Sequence, residues 1–306
     1  MKPAARRTVV IVFFFAVFLL SYAAKTMFDG KPAGKTAAPR PYNRIISLAP
    51  SITQTLFALG LGNRVVGVTR YCLYPREAAR REKVGGYFDP NFEAIASLEP
   101  DLVVALPEHK EVKKRLSSLG INVLTVDNTT IKDILDSILA IGTACDVRSK
   151  AEEMVRGLKE RADASKKLTS DIPRPKVLVS FARGMGSYGI KNVYIAGRNT
   201  FYDELIELAG GTNAYQDERI MFPSVSREGI IALNPDIILD LIPLSEVKGL
   251  KAADVLNEWA DFTEVKAVRE GRVYVLGNDY VTLPGPRFIL LLEDMKKSIS
   301  PDMNGP

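Results

Sequence analysis

Apolar residues form one long run near the start of this 306-residue chain and then recur in short, regular patterns. The run at residues 9–20 follows Lys2, Arg6 and Arg7, which is typical of an export signal. After residue 42, short runs rich in β-branched residues alternate with helical patterns. Such alternation predicts mostly parallel sheets covered by helices. The first half has four predicted strands, at residues 44–48, 65–68, 102–105 and 122–126.

The chain contains an internal repeat. Residues 93–104 (EAIASLEPDLVV) align without a gap with residues 228–239 (EGIIALNPDIIL), at an offset of 135 residues. In each copy a short helix ends at Pro-Asp, because proline cannot continue a helix and aspartate suits a turn. Residues 176–181 and 201–211 parallel the first strand and the helix that follows it. The two halves therefore predict two lobes of similar design.

An amphipathic helix is predicted between the two copies. Its apolar residues recur at spacings of three and four: Val147, Ala151, Met154, Leu158 and Ala162. At 1.5 Å per residue it would span roughly 30 Å, enough to join both lobes as one strut. An ordinary helix belonging to one lobe is the alternative.

The predicted fold is thus α/β, with two similar lobes, each a mostly parallel sheet flanked by helices, joined by one long rigid α-helix. The signal is either a cleaved peptide or an uncleaved anchor, and both place the rest of the chain outside the cytoplasm. The predicted divisions are signal 1–23, flexible tether 24–42, N-terminal lobe 43–146, linking helix 147–169, C-terminal lobe 170–300 and tail 301–306.

Charge and cysteine content exclude several function classes. The net charge is +5, and without the three basic residues of the signal it is +2, which gives no support for nucleic-acid binding. Cys72 and Cys145 are the only cysteines, so they form either one disulfide or two separate thiols. Neither a C-x-x-C motif nor a zinc-ligand pattern is present.

Several short motifs together resemble one family, the helical-backbone (class III) periplasmic binding proteins of cobalamin, ferric-siderophore and haem importers. Within that family the chain is most similar to the cobalamin binders, through YCLYP at 71–75 and FPSVSRE at 222–228. The motifs are RIISLAPS at 44–51, VVGV at 65–68, VGG at 84–86, both Pro-Asp repeats, AGGTN at 209–213, VSRE at 225–228 and GRVY at 271–274.

The resemblance implies a monomeric carrier in the periplasm or an equivalent extracytoplasmic space. It would deliver its cargo to an ABC permease and ATPase complex, with no catalysis and no cofactor of its own. The expected cargo is a corrinoid, and a ferric siderophore or haem is the alternative, so the ligand would contain cobalt or iron. Two other classes stay open: a membrane-anchored ligand sensor and a chelatase-like enzyme.

The candidate ligand-binding residues lie in loops that follow predicted strands, where parallel sheets present their ligands. Aromatic side chains there would offer flat apolar faces to a macrocycle, although each one alone is also explained by core packing. Arg287 would bind polar groups of the ligand, or it simply begins the last helix in contact with solvent. The full set is Tyr71, Tyr74, Tyr87, Phe88, Phe181, Phe222, Asp279, Tyr280 and Arg287.

Separate functional hypotheses apply to three further residues. His109, the only histidine, is either an axial ligand of a bound metal complex or a surface residue. Glu93 and Glu228 occupy equivalent positions in the first turn of a helix, where an acid also favours the helix dipole. The resemblance implies that these two glutamates contact arginines of the permease.

Overall fold

The computed structural model describes residues 41–169, 174–183, 190, 192–244 and 249–300. The predicted signal, all but the end of the predicted tether, and the predicted tail lie outside these residues. Within the described ranges, no helix is both long enough and apolar enough to span a bilayer.

Strands and helices alternate as the hydrophobic pattern predicts. The strands are β1 (Ile45–Ser47), β2 (Val65–Val68), β3 (Glu82–Lys83), β4 (Leu102–Ala105), β5 (Val123–Thr125), β6 (Lys176–Arg183), β7 (Asn192–Ile195), β8 (Thr212–Asn213), β9 (Ser224–Ser226), β10 (Ile237–Leu241) and β11 (Val273–Leu276). The helices are α1 (Pro50–Ala58), α2 (Arg76–Ala79), α3 (Phe92–Ser97), α4 (Lys110–Ser118), α5 (Ile131–Ala144), α6 (Arg148–Leu168), α7 (Phe201–Leu208), α8 (Arg227–Leu233), α9 (Ala252–Trp259), α10 (Lys266–Arg269) and α11 (Phe288–Ile299).

The first sheet is entirely parallel, with strand order β3-β2-β1-β4-β5. Its central strands are inaccessible to solvent, as Ile45, Ile46 and Val103 show, because helices cover both faces. The loops that follow β1, β2, β4 and β5 therefore meet at one edge of the sheet.

The second sheet has the order β11-β10-β6-β7-β9, and β8 pairs with β6. Strands β6, β10 and β11 are parallel, whereas β7 runs antiparallel to both β6 and β9. Residues 184–191 between β6 and β7 are too few for a helical crossover, which needs about a dozen residues, so the chain returns antiparallel. The second lobe is α/β as predicted, but its sheet is mixed.

The repeat has a structural counterpart in each lobe. Helix α3 leads into β4 as α8 leads into β10, at the same offset of 135 residues. Glu99 and Asn234 occupy equivalent positions after these helices, and both adopt the left-handed conformation, with φ of 44° and 41°. Asparagine tolerates this conformation better than glutamate does.

The aspartate of each Pro-Asp pair fixes the beginning of its lobe's first strand. The carboxylate of Asp101 accepts hydrogen bonds from the backbone N–H groups of Asn43 (2.7 Å) and Arg44 (2.9 Å). Asp236 accepts one from the backbone N–H of Lys176 (2.7 Å). The repeated aspartates therefore join the helix–strand unit to the strand beside it, in addition to suiting the turn.

Helix α6 connects the lobes as a strut. Its 21 residues span about 32 Å, and it packs against α5 of the first lobe and against α7 and α11 of the second. A Cβ atom at Gly142 of α5 would collide with Ala151, so the two helices touch closely there. Val155 belongs to the same buried core as Ile45 of the first sheet and Val177 of the second. The alternative of a helix confined to one lobe is therefore wrong.

Candidate functional site

A cleft of about 590 Å³ opens where the strands of both sheets end. Loops after β1, β2, β3, β4, β5 and β11 contribute to it, together with β6, the beginning of α7 and the segment before β9. This volume is typical of a small-molecule site. Its lining residues are Ala49, Pro50, Ser51, Tyr71, Tyr87, Leu106, Glu108, Asn128, Thr129, Phe181, Phe201, Tyr202, Met221, Phe222, Thr282, Leu283 and Pro284.

Tyr87 is held firmly in the first lobe's side of the cleft. Its hydroxyl donates a hydrogen bond to the carboxylate of Glu108, and its backbone carbonyl accepts one from His109 Nε2 (2.9 Å). Burial, together with the bond to Glu108, raises the pKa of the Tyr87 hydroxyl far above its usual value. The hydroxyl is therefore protonated at neutral pH, and the ring presents a fixed apolar face.

His109 supports this arrangement and does not face a ligand. The side chain is only 1% exposed, and its Nδ1 accepts a hydrogen bond from the backbone N–H of Leu106 (3.1 Å). Burial lowers the pKa of the imidazole, which favours the neutral ring. Because both nitrogens are engaged, His109 cannot bind a metal centre in this conformation. The alternative of a surface residue is wrong too.

The second lobe contributes an aromatic cluster to the opposite wall. Phe181 stacks on Tyr202, with ring centroids 5.6 Å apart, and meets Phe222 edge to face at 5.5 Å. Phe201 packs against Tyr202 at 4.0 Å. Tyr202 is anchored by a hydrogen bond from its hydroxyl to the carbonyl of Val281 (3.2 Å). The cleft thus presents aromatic faces from both lobes.

Neutral polar groups also line the cleft. Ser51 Oγ accepts a hydrogen bond from the side-chain amide of Asn128 (3.0 Å). The carbonyl of Thr129 accepts one from the backbone N–H of Phe201 (2.7 Å), which joins the lobes beside the cleft. Hydroxyl and amide groups of this kind fix the orientation of a ligand without requiring it to be charged.

Arg287, Asp279 and Tyr74 contact one another beside the cleft and do not line it. The guanidinium of Arg287 forms a two-pronged ion pair with Asp279 (2.9 Å for both bonds) and donates to Gln54 Oε1 (3.0 Å). It also lies 3.6 Å from the ring centroid of Tyr74. Since Gln54 belongs to the first lobe, Arg287 joins the two lobes. Neither ligand contact nor simple solvation describes this residue here.

Replacing Arg287 by Met should lower the free energy of unfolding by about 2 kcal/mol, because a mostly buried ion pair and an inter-lobe hydrogen bond are lost. Urea denaturation followed by circular dichroism measures this. Arg70→Met is the matched control: it removes an exposed ion pair with Asp89, which should contribute little. Equal stability of the two variants would contradict the structural role of Arg287.

Two other predicted ligand residues also lie outside the cleft. Phe88 is 78% exposed and belongs to an outer groove that also includes Phe92 and Arg115. The hydroxyl of Tyr280 donates to Asp294 of the last helix (2.6 Å), and burial and this bond raise its pKa. Of the nine predicted residues, those that line the cleft are Tyr71, Tyr87, Phe181 and Phe222.

Glu93 and Glu228 are exposed in the first turns of α3 and α8. Other residues cap both helices: Asn91 accepts from the backbone N–H of Glu93 (3.0 Å), and Ser226 accepts from that of Gly229 (3.3 Å). The Ser226 hydroxyl also donates to Glu228 (2.7 Å) and lowers the pKa of that carboxyl. The two carboxylates are therefore available to a partner.

Cysteine and metal chemistry do not account for the site. Cys72 and Cys145 are free, buried thiols, so the alternative of separate thiols describes this structure. Burial raises the pKa of the Cys145 thiol to about 11, which disfavours the reactive thiolate. Among the described residues, no group of three or more His, Cys, Asp or Glu side chains is arranged to hold a metal ion.

A separate cavity of about 480 Å³ lies among helices α5, α6, α7 and α11. It shares no lining residue with the cleft, and its rim mixes both signs of charge, with Lys159 and Arg174 near Asp163 and Glu207. It lies among helices, away from the strand ends where ligands of parallel sheets bind. The inter-lobe cleft is therefore the better candidate for the ligand site.

Comparisons with known proteins identify the family to which this two-lobed fold belongs. A family model described as periplasmic binding protein matches residues 45–280. This chain belongs to that family. The long helix α6 further confirms the helical-backbone class expected from the motifs.

Relatives in the family are binding proteins. An uncharacterized ABC transporter substrate-binding lipoprotein, YvrC of Bacillus subtilis, is 34% identical over 85% of this chain and 80% of its own length. A vitamin B12-binding protein of Vibrio parahaemolyticus is 28% identical over 82% of this chain and 87% of its own. The periplasmic heme-binding protein RhuT from Roseiflexus, in apo form, superposes with a TM-score of 0.72 and 29% identity, covering 86% and 99% of the two chains.

Several cleft residues escaped the sequence reasoning. Phe201 and Tyr202 begin the helix that parallels α1, so extending the repeat to the beginnings of these helices would have found them. Glu108 adjoins His109 in the loop after β4, so the strand-end position that indicated His109 also indicates Glu108. Asn128 and Thr129 directly follow the predicted strand at 122–126, so applying the strand-end rule to polar residues as well as to aromatic ones would have found them.

Proposed function

We propose that this chain is an extracytoplasmic substrate-binding protein that captures a corrinoid in the inter-lobe cleft and delivers it to an ABC permease and ATPase complex. The observation that carries the cargo assignment is the chemistry of the cleft. Aromatic side chains of both lobes line it, together with neutral hydroxyl and amide groups. A corrinoid has a broad apolar macrocycle with a rim of neutral amides, which matches this arrangement.

The relatives support the same class of cargo. Vitamin B12-binding proteins match nearly the whole folded part of the chain. The cleft is open, so a ligand larger than its volume would project beyond the lobes toward a membrane partner. The predicted export signal at residues 1–23 would place the protein where such a partner is accessible.

Haem is the second candidate, and one observation favours it. Tyr71 is 55% exposed at the cleft, and a tyrosine hydroxyl can serve as the axial ligand of haem iron. RhuT, which superposes on this chain, is a heme-binding protein. Against haem, its propionates would meet no basic side chain among the described residues that line the cleft.

Calorimetry with cobalamin, cobinamide, haemin and a panel of ferric siderophores tests the cargo. The full chain is titrated in mild detergent because of the apolar run at residues 9–20. Tight one-to-one binding of a corrinoid is expected, in the affinity range of other specific carriers. Binding of haemin alone, or of a ferric siderophore alone, would mean that the cargo is an iron complex. The protein would still be assigned as a substrate-binding protein of an ABC importer. No binding across the panel would favour a sensor or an enzyme.

Glu93 and Glu228 are the proposed contacts to the permease. Their carboxylates are exposed, they occupy equivalent positions in two lobes, and neither caps its helix. Paired charges on two similar lobes suit a partner with two-fold symmetry, where they would steer docking and fix its register.

A further inference from the structure

The cleft has a negatively charged group but no positively charged one among its described lining residues. Among the described residues that line it, Glu108 is the only charged one. Arg287, the nearest strong base in the candidate set, is neutralised by Asp279 and is not part of the lining. A ligand that enters the cleft therefore meets one negative group and no positive one in this part of the chain.

One hydrogen bond orients the exposed side chain of Glu108 at the cleft. Its carboxylate accepts the hydrogen bond from the Tyr87 hydroxyl, and its neighbour His109 is buried and bonded on both ring nitrogens. The Tyr87 ring is in turn fixed between Phe88, with centroids 4.7 Å apart, and His109, at 4.8 Å. The negative charge therefore lies beside Tyr87, on whose aromatic face a macrocycle would lie.

The geometry points to Glu108 as a specificity-determining residue that excludes anionic ligands. The proposal rests on the proposed function, since it assigns selectivity to the same cleft. A bound macrocycle displaces water from the carboxylate, which strengthens repulsion of a nearby ligand carboxylate. Neutral amide groups at the same position avoid that repulsion and can donate hydrogen bonds to Glu108. The favoured cargo is thus an amide-bearing macrocycle, and its acid derivatives are rejected.

Two matched ligand pairs test this proposal on the full chain. One pair is cyanocobalamin and a monocarboxylic acid derivative in which one propionamide is replaced by propionate. The other is haemin dimethyl ester and haemin, which differ by two carboxylates. Of the pair that it accepts, the native protein should bind the neutral member roughly tenfold more tightly than the charged one. A difference of this size is expected for two like charges several ångströms apart in a partly solvated site.

Two variants test whether the charge of Glu108 itself causes the discrimination. Glu108→Gln keeps the size and an acceptor but removes the charge, and should reduce the discrimination to within about threefold. Glu111→Gln is the matched control: it removes the same charge from an exposed residue of the outer groove that does not line the cleft, so its discrimination should stay at the native value. Thermal unfolding of each variant confirms that it is folded.

The possible outcomes test the charge selectivity of Glu108 and the identity of the cargo separately. Equal native affinity for both members of a bound pair would overturn the charge selectivity, as would unchanged discrimination in Glu108→Gln or its loss in Glu111→Gln. Binding of the haemin pair alone would overturn the corrinoid assignment while still testing Glu108. Binding of neither pair would overturn both proposals.

Discussion

Uptake should be lost when Glu93 and Glu228 are both replaced by Ala, while the protein still binds its ligand with native affinity. The reason is geometric: both carboxylates are exposed, and Asn91 and Ser226 already cap the two helices. Removing the glutamates therefore keeps both helix caps and the cleft, and it removes two charges from the proposed docking surface together with one exposed hydrogen bond, from Ser226 to Glu228. Transport of labelled cobalamin by a host whose own binding protein has been replaced, together with calorimetry, measures the two effects separately.

A matched pair of exposed glutamates on the linking helix supplies the control. Glu153→Ala combined with Glu160→Ala changes the net charge by the same amount but leaves α3 and α8 untouched. This control should transport as well as the native chain. Normal uptake by the Glu93 and Glu228 double variant, or equal loss in both double variants, would remove the docking assignment.

Replacing Tyr71 and Phe222 by Ala together should weaken ligand binding by about 100-fold, because each aromatic ring that a ligand covers contributes roughly 1–2 kcal/mol. The two residues lie in different lobes, and both line the cleft. They are 55% and 42% exposed without ligand, so their removal should alter the melting temperature little. Calorimetry with the ligand identified in the panel measures the change in affinity.

Tyr194→Ala is the control for this double variant. Tyr194 is 50% exposed but does not line the cleft, so its removal should leave affinity unchanged. Native affinity in the Tyr71 and Phe222 double variant would mean that the ligand does not bridge the two lobes. A large drop in melting temperature would instead assign these rings a structural role.

The fold was largely predictable from the sequence because burial patterns and turn residues act locally. The repeat at residues 93–104 and 228–239 predicted both helix–strand units, and the apolar stripe on α6 predicted the strut. The antiparallel strand β7 was not predicted. Its direction depends on the length of the connection from β6, and no hydrophobic pattern records strand direction.

The candidate site was less predictable, since it depends on contacts between distant residues. Strand-end position correctly brought Tyr71, Tyr87, Phe181 and Phe222 to one cleft. Strand-end position could not show that Arg287 would contact Gln54, Asp279 and Tyr74. That arrangement joins residues more than two hundred positions apart in the chain, such as Gln54 and Arg287.

The single buried core that runs from the first sheet through α6 to the second has a kinetic consequence. Wide opening of the lobes would expose core side chains such as Val155, at about 0.8 kcal/mol for each methylene group, so empty and occupied molecules should share nearly the same shape. An importer would then meet the same outer surface on both forms. Empty molecules would compete with loaded ones for it, and import should slow when the carrier greatly outnumbers its cargo.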